Sequence, residues 1–120
     1  MANPSTTGPS GIGSEVLRRK GLQGLSDTST NIITVGTDMI VTVLSLFIVN
    51  NSGTASKTFD LQVSLDGGSG VLLLKAVPLN ENETYVFNDK FVMTETDVLQ
   101  VSFNSTDHDI YVSYIEQEFA

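Results

Sequence analysis

From Lys57 to Leu65 the chain alternates without a break, with Phe59, Leu61, Val63 and Leu65 on one side and Thr58, Asp60, Gln62 and Ser64 on the other. Successive side chains of a strand point to opposite faces, so this stretch predicts a strand with one dry face and one solvated face. Val98 to Phe103 repeats the pattern: Leu99, Val101 and Phe103 oppose Gln100, Ser102 and Asn104. Further β-rich segments are predicted over Asn31 to Val35, Val71 to Val77, Glu83 to Phe87, Phe91 to Met93 and Ile110 to Ile115. Gly36-Thr37-Asp38, Asp66-Gly67-Gly68-Ser69-Gly70 and Asn104-Ser105-Thr106-Asp107 supply turns between them, and Pro78 is expected to close the strand before it. Many short strands at regular spacing, with no helical period after Ser26, predict an all-β antiparallel sandwich or jelly roll.

Met39 to Asn50 breaks the rule. Counted by twos, Val41, Val43, Phe47 and Val49 lie on one side and Ile40, Leu44, Leu46 and Ile48 on the other, so both sides are apolar. A strand with one wet face alternates; this one is expected either at the centre of the core or covered on its second face by another subunit. Leu44, Leu46 and Ile48 are therefore candidate oligomer-interface residues, and a homo-oligomer, with a trimer as the leading form, is expected.

The N-terminal region reads differently. Pro4, Gly8, Pro9, Gly11 and Gly13 stand among Ser and Thr, with too little apolar surface to repay the entropy of ordering them alone. Residues 1–28 are expected to form an extended arm and residues 29–120 the sandwich. Half of the chain's six basic residues sit in Arg18-Arg19-Lys20, while thirteen of its fourteen acidic residues follow position 20. A basic tether on an acidic body suits attachment to something large, with Val16 and Leu17 as apolar anchors and Arg18, Arg19 and Lys20 as charge contacts.

A formal net charge of −8 disfavours nucleic acid as a partner, because Lys57, Lys75 and Lys90 cannot build a basic groove. The longest apolar run, Met39 to Val49, is far shorter than the roughly 20 residues of a membrane-spanning helix, and no membrane partner is expected. No charged and then apolar leader opens the sequence, so no signal peptide is predicted. The absence of Cys excludes disulfides and thiolate chemistry and fits a reducing cytosol.

Candidate chemistry is sparse. His108, the one histidine, stands in Asp107-His108-Asp109, which reads as a polar turn; consecutive residues on an extended chain point apart and make a poor metal site. No Gly-x-Ser-x-Gly or phosphate-cradling loop is present, and the single carboxylate of Asp66-Gly67-Gly68-Ser69-Gly70 falls short of what calcium takes. Catalytic residues, cofactors and metals are accordingly expected to be none. The triplets starting at Asn50, Asn82 and Asn104 match the glycosylation pattern but are expected only to mark surface turns. Tyr111 and Tyr114 fall on opposite faces of a strand, which counts against a single stacking platform for a glycan.

The run Ser14-Glu15-Val16-Leu17-Arg18-Arg19 is followed by Asn31-Ile32-Ile33-Thr34-Val35, Thr42-Val43-Leu44-Ser45, Ile48-Val49-Asn50-Asn51 and a terminal Val112-Ser113-Tyr114-Ile115-Glu116. In this order the segments resemble the small all-β virion accessory proteins of tailed bacteriophages, from Ser14 onward. Met39-Ile40-Val41 departs from the aromatic common in that family before Thr-Val. The resemblance implies a structural virion protein, assembled in the host cytoplasm, that decorates and stabilises the capsid as a cement protein. Its implied partners are the major capsid protein or neck and portal-proximal proteins, often met as a trimer; a neck, tail or head-fibre attachment protein is the alternative, and a carbohydrate-binding module a third.

Overall fold

The computed structural model describes residues 13–25, 29–52, 57–66, 68–104 and 107–119. Nine strands run through them: β1 Glu15–Leu25, β2 Thr30–Thr34, β3 Met39–Asn50, β4 Lys57–Ser64, β5 Gly70–Leu79, β6 Thr84–Phe87, β7 Phe91–Thr94, β8 Val98–Phe103 and β9 His108–Glu118. They form two antiparallel sheets. The front sheet has the order β1-β9-β3-β6, with β7 also pairing with β3, and the back sheet has the order β2-β8-β4-β5. The chain crosses between sheets after β1, β2 and β3, returns after β5, and crosses again on either side of β8. With β6 and β7 taken as one interrupted strand, this is the eight-stranded jelly roll.

The expected sandwich is thus the observed one, but the expected boundary at residue 28 is not. Glu15–Leu25 is a full strand of the front sheet, paired with β9 from Glu15↔Gln117 to Leu25↔His108. The reason is its own pattern: Val16 and Leu22 lie opposite Glu116 and Ile110, and Val16 is 3% exposed. Gly24, at a φ of 60°, takes up the shift in register before Leu25. The rest of the expected arm, residues 1–12 and 26–28, lies outside the described residues.

β3 has the predicted bounds, and its two apolar sides have a local cause. Val43 pairs with Tyr114 and Ser45 with Ser113, so Leu44 is an extra residue against β9. A bulge of this kind moves every later side chain to the other face. Val41 and Val43 before it, and Leu46, Ile48 and Asn50 after it, all face the core and are buried. Leu46 and Ile48 are therefore core residues of one molecule, not an interface between molecules. Leu44 is half-buried at the bulge.

The core forms where the inner faces meet. From the front sheet come Val41, Val43, Leu46, Ile48, Met93, Ile110 and Val112; from the back sheet come Ile33, Phe59, Leu61, Leu99, Val101 and Phe103. Phe59 meets Tyr85 of the opposite sheet edge to face, with ring centres 5.3 Å apart. His108 departs from the expected polar turn. It opens β9 opposite Asn50, is fully buried, and stacks on Phe103 at 3.8 Å, because the inward phase of Ile110 and Val112 extends back to it.

Polar ties hold the layers in register. Asn50 is buried as well, and its amide donates at 3.1 Å to the carbonyl oxygens of both Leu79 and Asn80, joining the end of β3 to the back sheet. Asn50 is thus no surface acceptor for a glycan. Pro78 lies inside β5 rather than after it, which an edge strand tolerates because its outer side has no ladder partner.

Truncation of Leu46 to Ala is expected to lower the unfolding free energy by about 2–5 kcal/mol in a denaturant melt. Leu46→Asp or Ile48→Asp is expected to abolish folding rather than yield a folded monomer. Removing residues 1–20 deletes the first six pairs of the β1–β9 ladder and Val16 from the core, and is expected to broaden or abolish the cooperative melt.

Candidate functional site

The residues singled out for attachment do not act together as a free arm. Val16 points into the protein. Directly opposed residues share a face, so Arg18 and Lys20 also start on the inner side of the front sheet, beside Tyr114 and Val112. At the open edge of the sandwich they reach polar partners: Arg18 Nε donates to Glu116 Oε1 at 3.0 Å, and Lys20 Nζ donates to the backbone oxygen of Ile32 at 3.0 Å. The second contact links the front sheet to the back sheet. Leu17 and Arg19 face outward and are exposed.

Tyr114 sits between these charges. Burial holds its phenol above the ordinary tyrosine value of 10.0; nearby Arg18 draws it down, and Glu116 raises it further. The Arg18–Glu116 pair is only partly shielded, with the side chains 26% and 20% exposed, so its role is mainly to hold β1 on β9 in register.

Leu17 and Arg19 belong to a larger feature, the outer face of the front sheet. Leu17, Ile115, Thr42 and Val92 stand opposite one another across β1, β9, β3 and β7. Gly21, Tyr111, Phe47 and Val86 make a second row across β1, β9, β3 and β6. Leu17, Phe47, Tyr111, Val86 and Val92 are each between 37% and 61% exposed. Where Gly21 leaves the second row without a side chain, a shallow depression of about 220 Å³ opens against Phe47, Val49, Tyr111 and Asp109. Asp109 is committed there: its Oδ1 accepts from the Gly24 N–H at 2.9 Å and its Oδ2 from the Asn51 amide at 3.4 Å. What this surface offers is apolar and aromatic contact area. Among the described residues, no three His, Asp or Glu side chains gather as a metal site would require.

The outer face of the back sheet is of another kind. Gln62 donates to Gln100 and Gln100 to Asn31, each at 2.8 Å, making a row of amides across β4, β8 and β2. Gly70 lets that row pass, since a Cβ there would stand 2.7 Å from the Gln62 amide. Asp60, on the same face, accepts from the Ala76 N–H at 2.7 Å and supports the bulged part of β5.

Sequence reasoning offered Leu17 and Arg19 for contact with a partner but did not connect them with Phe47, Tyr111, Val86 and Val92. The signal was the spacing of Thr42 and Ser45. Three residues apart, they share a face only if one residue is inserted between them.

No protein-family model and no curated protein matches the chain. Among solved structures, one described under the words "Bacillus endospore appendages form a novel family of disulfide-linked pili" matches 92% of this chain and 93% of its own length. The TM-score is 0.55 and the identity 10%, so the likeness is one of fold alone. The linkage its description names has no counterpart here, since this chain contains no Cys.

The Tyr114 environment sets an alkaline limit. The unfolded chain releases this proton near 10.0 and the folded chain higher, so the stabilisation is complete below pH 10 and declines as pH rises through the folded value. One of the three tyrosines is expected to titrate last by phenolate absorbance. Tyr114→Phe should remove that late step and lessen the loss of stability above pH 10; Arg18→Ala should move the step later and Glu116→Ala earlier.

Proposed function

We propose that this chain is a non-catalytic structural protein of a tailed-phage virion, decorating the capsid as a cement protein. The observation that carries the proposal is where the resemblance-bearing segments fall. Of the five segments, Ser14 to Arg19, Thr42 to Ser45, Ile48 to Asn51 and Val112 to Glu116 lie far apart in sequence yet fall on the neighbouring strands β1, β3 and β9 of one sheet, while Asn31 to Val35 falls on β2 of the other. Most of the shared pattern therefore bears on the front sheet, and the surface that sheet offers a partner is its outer face, with Leu17 and Arg19 at its edge.

A small sandwich laid over a junction between shell subunits buries surface on the assembled particle that free subunits do not offer. Binding of that kind stabilises the assembly by mass action, and many weak copies add to a large effect. Nothing in the proposal calls for nucleic acid, a membrane or a cofactor.

Quantitative mass spectrometry of purified virions of the encoding phage is expected to find the protein at high copy, spread over the shell. Particles assembled without it should lose their contents at a lower temperature and recover on adding the purified protein back. Leu17→Asp with Arg19→Ala should weaken that recovery. A handful of copies at one vertex would move the assignment to the neck or tail, and absence from the virion would overturn it.

A further inference from the structure

The two outer faces of the sandwich are built for different surroundings. A sheet face in contact with water carries polar side chains at its outward positions. The back sheet obeys this over most of its width with Asn31, Gln62, Gln100, Asp60 and Ser102, the exposed Leu72 opposite Gln62 on the edge strand β5 being an exception. The front sheet obeys it less: Leu17, Ile115 and Val92, with Thr42, make one mainly apolar row, Tyr111, Phe47 and Val86 make a second, and Arg19, Ser113 and Ser45 stand between them. A monomer seldom exposes so many large apolar side chains on one face without a use for them.

We propose that the outer face of the front sheet is a homotypic docking surface, against which the same face of a second copy of this chain packs, sheet on sheet, about a two-fold axis. Two arguments select this occupant. The first is area. Asp109 to Gln117 on β9, at about 3.4 Å per residue, and four strands about 4.8 Å apart give a face of roughly 30 Å by 19 Å, or about 600 Å². That is far more than a small ligand covers and lies at the lower end of what two proteins bury per partner, where about 800 Å² is standard. A flat sheet face is itself the shape that stacks on another sheet, with side chains interdigitating.

The second argument is charge. The chain carries a net charge of −8, so two copies repel through most of their surfaces. Within the two rows and between them the charged residues are Arg19 on β1 and Asp89 and Lys90 between β6 and β7, so carboxylates are not in excess there, and those of Glu15 and Asp109 stand at opposite ends of the face. A basic partner would be met by a face with an excess of carboxylates; a partner with this chain's own charge is met where there is no such excess. An isologous pairing meets both conditions, because each copy supplies the same patch. This inference concerns the free protein; the virion reading uses the same face, so a copy seated on a shell presents it to the shell instead of to a second copy.

Sedimentation equilibrium of the full chain, up to about 500 µM, is expected to show a monomer passing into a dimer at micromolar or higher concentration, as a contact of this size allows. Phe47→Asp and Val92→Asp should each raise the dissociation constant at least tenfold, while Thr34→Asp, which adds the same charge at an exposed position of the back sheet, should leave it unchanged. Val92 is the most exposed of the patch at 61%, so its substitution tests the contact even if Phe47→Asp disturbs folding. Because the chain has no Cys, Ser113→Cys at the middle of the face should give a covalent dimer on oxidation and Thr34→Cys should not. A wild-type protein that stays monomeric throughout, Asp variants that dimerise as well as wild type, equal cross-linking from Thr34→Cys, or assembly beyond the dimer would overturn the proposal.

Discussion

The pairing of β3 with β9, carried across one surplus residue at Leu44, decides which side chains become core and which become surface. These two long strands lie in the middle of the front sheet, and every other strand of that sheet hangs on one of them. Before the bulge, Val41 and Val43 face inward; after it, Leu46, Ile48 and Asn50 do. Without the extra residue, one half of the strand would turn its apolar side chains out and carry Phe47 and Val49 into the core. A slip by one position reverses a whole face, so the bulge is as much a part of the fold as any contact in it.

The second dependence is between layers. Apolar packing across the sandwich is non-directional and would tolerate some sliding of one sheet over the other. Directional contacts remove that freedom. The Asn50 amide ends β3 on the carbonyls of Leu79 and Asn80, and Lys20 reaches Ile32 across the open edge. Asp97, itself buried, accepts from the backbone N–H groups of Thr94 and Asp66, each at 3.0 Å, and so closes the far end. A buried carboxylate or amide left without such partners would cost more than the bond contributes, which makes these residues specific to one arrangement.

The basic triplet shows how a strand changes the meaning of a sequence motif. On a free arm, Val16, Arg18 and Lys20 are three handles for a partner. In β1 they share the inner side and are used by the molecule itself, in the core, with Glu116 and with Ile32. Leu17 and Arg19 are left over for the outside, where they join residues from four other strands. The exposed apolar surface is therefore a property of the sheet, not of any one segment.

Much of this was legible in the sequence. The alternation of Phe59, Leu61 and Val63, and of Leu99, Val101 and Phe103, determined strands with one dry face, and their number and spacing determined a two-layer all-β fold. The period of two depends only on local backbone geometry. Tertiary structure decided the rest. That Glu15–Leu25 is a strand depends on β9, nearly a hundred residues away, offering an unpaired edge. That His108 and Asn50 are buried depends on their standing opposite each other at the end of the β3–β9 ladder. That Leu46 and Ile48 are core, while Phe47 and Val86 are surface, depends on one inserted residue whose effect appears only when a partner strand fixes the register. Periodicity reports which residues share a side of a strand; which side is inside is settled by what that strand lies against.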